Sequence, residues 1–260
     1  LGLLAIYSKA ELYIFSLIQI IAGALRVWLF AILKISDIRM NFIKFYNKRI
    51  ANILLKRGFP LILSGFTEVL LLRIDQVMIQ GFLGSEQLGF YSVSVKAVES
   101  LYFLPGILSQ SYLPLIGTKE LTFKKNINLR NFYKITWILG IFTTLFSIFC
   151  LPILVKVLYG LEYLPSIPSL IWLGSAGFSV CVGYSNSLWL RCSNLEKVLW
   201  YRAIIALILN FILNLFLIPR EGIVGAAKAT TLPNYFGIFL INLIWSDKSR
   251  YNILKNYIPF

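Results

Sequence analysis

LILSGFTEVLLLRIDQVMIQGF, residues 61–82, is long and apolar enough to cross a bilayer, yet it carries Glu68, Arg73 and Asp75 in its interior. A bilayer core takes about 20 mostly apolar residues of helix. A charged side chain near its centre costs roughly 2.5–3.5 kcal/mol on insertion scales, so such groups normally face a partner or a water-filled cavity. The stretch therefore predicts a membrane helix whose charges have a use. The rest of the chain indicates what that use is.

Composition extends the same reading. Of 260 residues, 58% are apolar and 14% charged, and mean hydropathy is +0.76, whereas about a quarter of a soluble domain is charged. Apolar windows at 10–33, 58–83, 88–116, 131–158, 166–190, 198–218 and 222–246 predict seven spanning helices, and residues 1–7 read as the end of another. These runs are too long, and too free of alternation, for a membrane barrel. The expectation is an all-α, polytopic membrane bundle. The chain opens on Leu1 inside an apolar run and reads as the C-terminal piece of a longer protein or a sequence lacking its start; that opening has neither the charged leader nor the cleavage-type ending from which a signal peptide is argued. Histidine is absent, and Cys150, Cys181 and Cys192 show no metal-binding spacing. Most hydrolase and metalloenzyme chemistry is thereby disfavoured; no enzyme activity, cofactor or metal is expected.

Charge sets the expected topology. The net charge is +14. The stretches 34–57, 117–134, 191–202 and 246–260 hold seven, five, three and three of the 25 lysines and arginines. The turns between them, at 8–11, 81–89, 159–166 and 218–222, hold only Lys9 and Arg220. This alternation is the positive-inside pattern, which places the basic loops and the C-terminus in the cytoplasm. Membrane topology accounts for the basic charge, so nucleic acid is not an expected partner. The chain divides into residues 1–33, ending a preceding bundle; a basic linker at 34–57; a six-helix bundle at 58–246; and a basic tail at 247–260. The linker has the pattern of an interfacial amphipathic helix, with Ile38, Phe42, Phe45 and Ile53 toward lipid.

Loop charges aside, Arg26, Arg73, Lys96, Lys156, Lys228, Glu68, Asp75 and Glu99 remain in the spans. Arg26, Lys156 and Lys228 lie nearer helix ends, where long side chains snorkel. At 100° per residue, Ser64, Glu68 and Asp75 share one edge of their helix, with Arg73, Gln76 and Gln80 on a second. Ser92, Lys96, Glu99 and Ser100 share a face of the next span. A short hairpin joins the two, so two cations and up to three carboxylates are expected at a common depth. They form either buried ion pairs, Lys96–Glu99 first, or a cationic cavity with titratable carboxylates. Pro105-Gly106 and Pro233-Asn234 interrupt two spans and free backbone carbonyls for neighbours or water. GSAGFSVCVG (174–183) has the spacing of a close helix contact. Asn210 and Asn214 line a lumen or bond across helices.

RIDQVMIQGFLGSEQLGFYSVSVKAVESLYFLPGILSQSYLPLIG (73–117) resembles the polysaccharide transporter family. Its members are O-antigen flippases of the multidrug/oligosaccharidyl-lipid/polysaccharide exporter superfamily. Ile74-Asp75-Gln76, the Gly89-x-Tyr91-Ser92 turn and the following charged, proline-ended span carry the likeness. The basic mid-chain loop followed by six spans matches as well. The resemblance implies the last spans of a twelve-span transporter in the bacterial inner membrane, with its N-terminal half missing here. It also implies alternating access that moves an undecaprenyl-diphosphate-linked oligosaccharide, coupled to an ion such as H⁺ or Na⁺. In that setting Arg73 and Lys96 are the candidate substrate-binding cations. Glu68, Asp75 and Glu99 are the candidate ion-coupling carboxylates. The rivals are a multidrug cation antiporter of the same superfamily and a membrane-embedded polysaccharide polymerase.

Overall fold

The computed structural model describes residues 12–35, 47–117, 122–193 and 195–244. The expected N-terminal stub, the linker residues Ile38, Phe42 and Phe45, the side chain of Ser64 and the basic tail lie outside the described residues. Among the described residues all regular structure is helical, as expected. Helices α1 (Leu12–Ile35), α2 (Lys48–Gly117), α3 (Thr122–Phe149) and α4 (Leu151–Tyr159) are followed by a 3-10 turn (Leu161–Ser166). Then come α5 (Ile167–Ser175), α6 (Gly177–Cys192) and α7 (Glu196–Ile244). The chain divides into two compact units, Leu1–Leu55 and Lys56–Phe260.

In the first unit, Ile20, Val27 and Trp28 of α1 are exposed, and so is Arg26. Asn47 starts α2 as an N-cap, its side-chain oxygen accepting the N–H groups of Arg49 (2.9 Å) and Ile50 (3.4 Å).

The second unit is built on hairpins. Gly84 (φ 83°, ψ −178°) divides the part of α2 in this unit into arms of residues 56–83 and 85–117, and Gly222 (φ 62°, ψ −140°) breaks α7 into arms of residues 196–221 and 223–244. Side-chain contacts run symmetrically about each glycine, Asp75 with Tyr91 and Asn210 with Thr230, so the arms are antiparallel. The helices expected at 58–83, 88–116, 198–218 and 222–246 correspond to these four arms. Gly160 (φ 89°, ψ 179°) turns the chain between α4 and the 3-10 turn in the same way. Only glycine occupies this backbone region without strain. Gly84→Ala and Gly160→Ala are each expected to cost about 1–2 kcal/mol. Gly89→Ala, at a helical position with nothing within 4 Å of the added methyl, should be neutral or slightly stabilising. Thermal unfolding in one detergent checks all three.

Three described stretches are long and apolar enough to cross a membrane: Asn128–Phe149, Leu161–Cys192 and Lys197–Gly237. Large apolar side chains such as Ile138, Phe142, Ile153, Val157 and Phe216 are exposed, as on a surface solvated by lipid.

Inside, the apolar residues form two separate cores. One gathers Ile79, Tyr91, Val98, Leu170, Ile218 and Ala226. The other gathers Ile116, Phe132, Tyr133, Leu188, Leu190 and Leu199. Helices α3 and α6 are joined by a polar seam. Tyr133 donates to Asn186 (2.7 Å), Thr136 shares a hydrogen with Ser185 (2.5 Å), and Thr144 accepts the Phe178 N–H (2.8 Å). The close contact expected for 174–183 is present. A methyl on Gly174 would stand 2.4 Å from Ser147 Cβ, and one on Gly177 would stand 2.9 Å from Thr143 Oγ1. Between helices in lipid, close packing and interhelical hydrogen bonds supply the attraction that water supplies elsewhere.

Candidate functional site

The α2 hairpin brings three of the five predicted charges together. Arg73 on the first arm meets Glu99 on the second at 3.4 Å, and Lys96 meets the other oxygen of Glu99 at 3.9 Å. One carboxylate thus serves two cations, which leaves the cluster with net positive charge. It is open, Arg73 being 42% and Lys96 67% exposed. At 1.5 Å per residue Arg73 and Lys96 lie about 16–18 Å along their arms from the Gly84 turn. The expected Lys96–Glu99 ion pair is present, partly exposed rather than buried.

Asp75 points the other way. It is 2% exposed and receives three donors: the Tyr91 hydroxyl (2.5 Å), the Thr230 hydroxyl (3.2 Å) and the Gln76 N–H (2.7 Å). The Asn210 amide group donates to Thr230 Oγ1 and to the Ala229 carbonyl, both at 3.2 Å, and Asn214 donates to Asn210 Oδ1 at 3.0 Å. Asn210 therefore bonds across to the other arm, while Asn214 bonds Asn210 one turn earlier on its own arm. Pro233 explains one of those bonds: lacking an N–H, it leaves the Ala229 carbonyl without its helical partner, and Asn210 takes the place. The four arms of α2 and α7 meet in this layer of carboxylate, hydroxyl and amide groups. Asn214 Oδ1, at its far end, is buried with no hydrogen-bond partner. A carboxylate with neutral oxygens is the donor set that suits a hard monovalent cation or a proton. Among the described residues no group of three His, Cys, Asp or Glu could hold a metal ion.

Glu68 joins neither group. It is exposed, and the side chain within its electrostatic reach is Tyr184 of α6. Glu68 and Asp75 share a rotational edge of α2, but α7 covers that edge only at the height of Asp75. Lys228 pairs with Glu221, beside the Gly222 turn, at 2.6 Å and stacks over the Trp172 ring at 5.1 Å. Tyr91 and Thr230 were missed as partners of Asp75. Tyr91 lies within the sequence stretch that carried the resemblance, and Thr230 sits one turn before Pro233, which was the one signal available for it.

No family model matches the chain, and no solved structure matches it. It is similar to the uncharacterized membrane protein MJ1375 of Methanocaldococcus jannaschii, with 26% identity over 205 residues, 73% of this chain and 45% of that protein. The chain thus spans less than half the length of this relative. That likeness, together with three described helical stretches long and apolar enough to span a bilayer, makes the chain a helical membrane protein.

Proposed function

We propose that the chain is part of a flippase that carries an undecaprenyl-diphosphate-linked oligosaccharide across the bacterial inner membrane by alternating access. The observation that carries this reading is the exposed Arg73–Lys96 pair sharing one carboxylate, about 16–18 Å along the two arms from the Gly84 turn. A diphosphate crossing lipid needs cations along its path, and charge-assisted bonds to phosphate oxygens are the strong ones. The alternation of basic-rich and basic-poor loops supports a cytoplasmic C-terminus. Asp75, inside the layer shared by α2 and α7, is the group we assign to a coupling H⁺ or Na⁺; Glu99 serves the cations instead. Glu68, exposed beside Tyr184, is the feature that favours the second reading, a multidrug cation antiporter.

The test uses the full-length gene, deleted and then restored as wild type, Arg73→Ala or Lys96→Ala. Deletion is expected to trap lipid-linked oligosaccharide on the cytoplasmic leaflet. Loss of a charged hydrogen-bonding partner is worth about 1.5–3 kcal/mol. Each substitution should therefore lower surface polysaccharide roughly tenfold or more at unchanged protein level. Intact polysaccharide after deletion rules the flippase out, and a gain in drug sensitivity then selects the antiporter. Wild-type behaviour of both alanine variants removes Arg73 and Lys96 from the path.

A further inference from the structure

The chain makes ion pairs of two kinds. Lys228 closes on Glu221 at 2.6 Å and is covered by the Trp172 ring, a short and shielded pair beside a turn. The Arg73–Glu99–Lys96 cluster is built differently. Its two contacts are 3.4 and 3.9 Å, longer than the roughly 2.7–2.9 Å of a charge-assisted hydrogen bond. A guanidinium carries five N–H donors and an ammonium three, so one carboxylate at those distances leaves most of them for other acceptors. Among the described residues no second carboxylate pairs with either cation.

Glu99 is held loosely from its own side as well. Its side chain is 26% exposed. Among the described residues the nearby hydroxyls are taken up elsewhere. Tyr91 donates to Asp75, and Tyr102, within electrostatic reach of Glu99, turns to the Leu173 carbonyl at 3.5 Å. Only the two long ion contacts fix the Glu99 carboxylate among these groups, and rotation of its own side chain releases both cations.

We propose that Glu99 sets the charge threshold of this site: it occupies the cation pair in the empty protein and gives way only to a polyanion such as a diphosphate. The role rests on the reading of Arg73 and Lys96 as substrate-binding cations. A carboxylate from solution offers these cations no more charge than Glu99 does, and it competes against a group tethered alongside them at high effective concentration. A diphosphate brings at least two charges and several more acceptor oxygens, which a guanidinium takes two at a time. Glu99 thus rejects monoanions by competition, a repulsive element of specificity rather than an added attraction.

The test is calorimetric titration of the full-length protein in detergent, at fixed ionic strength and without divalent cations. Inorganic pyrophosphate is the probe and acetate the competitor. The wild type is expected to bind pyrophosphate and to keep it in excess acetate. Glu99→Gln retains the size and one acceptor oxygen but removes the charge. It should bind pyrophosphate about tenfold more tightly, the scale of one charge-assisted contact, and should now lose part of it to acetate. Glu99→Asp withdraws the carboxylate by one methylene and should shift both readings the same way by less, which keeps the sign measurable should the glutamine variant not fold. Adding Arg73→Ala to Glu99→Gln should abolish the gain. Weaker or unchanged pyrophosphate binding in the Glu99 variants overturns the role of Glu99 and leaves the cations as the substrate site. If neither the wild type nor the Glu99 variants bind pyrophosphate, the cation pair is no anion site, and the flippase reading loses the observation that carries it.

Discussion

Replacing Gly225 by alanine is expected to lower the unfolding free energy by on the order of 3 kcal/mol, at the upper end of what overpacking one methyl costs. The added Cβ would fall 2.2 Å from the Leu217 carbonyl oxygen and 2.5 Å from its carbon. Those are backbone atoms, which cannot rotate aside, so the two arms of α7 must separate. Separation opens the packing of Ala226 and Ala227, both fully buried, and strains the Asn210–Thr230 bond. Leu217→Ala should not rescue the variant, because the obstructing atoms remain. Gly174→Ala is the contrasting case, since its nearest atom is Ser147 Cβ. Ser147→Gly removes that atom and should restore most of the lost stability. Unfolding midpoints of the four single and two double variants in one detergent decide the matter. Recovery with Leu217→Ala would mean that arm separation is not the cause.

Asp75→Ala is expected to be nearly as damaging, by about 3 kcal/mol. It strips the acceptor from Tyr91, Thr230 and the Gln76 N–H, and each buried donor left unsatisfied costs about 1–3 kcal/mol before relaxation. Asp75→Asn keeps one oxygen for the Tyr91 and Thr230 hydroxyls, which share Oδ2, but turns its NH2 toward the Gln76 N–H, so it should lose about 1–2 kcal/mol, less than the alanine variant. That difference separates architecture from coupling. The asparagine variant should fold and bind substrate, yet lose the dependence of transport on an ion gradient. Unfolding measurements on both variants, paired with transport under imposed pH and Na⁺ gradients, provide the check. Gradient-dependent transport by a folded Asp75→Asn variant would take the coupling role away from this residue.

Glu68 and Asp75 illustrate how much of the site was legible beforehand. The helical period puts them on one edge of α2, which the structure retains. Exposure then differs, because it depends on which helix crosses that edge at each height, and the residues of α7 that do so lie about 150 positions away. Arg73, Lys96 and Glu99 were easier. A tight turn at Gly84 makes their arms neighbours, so depth alone brought them within reach. The Asn210 and Asn214 pair was ambiguous in one dimension. Pro233 signalled a freed carbonyl, but only the approach of the two α7 arms identified Asn210 as its donor.

By itself the sequence determined that the chain lies in a membrane, where its helices run, which turns reverse it and which loops are basic. Those properties follow from apolar run length, glycine placement and charge counts, all local quantities. Only the tertiary structure decided that one carboxylate is shared by two cations while another is sealed among hydroxyls and amides. It also decided that a single span is split between two cores. Such assignments depend on which distant side chains reach the same point in space, and a buried polar group takes whichever partner packing brings to it.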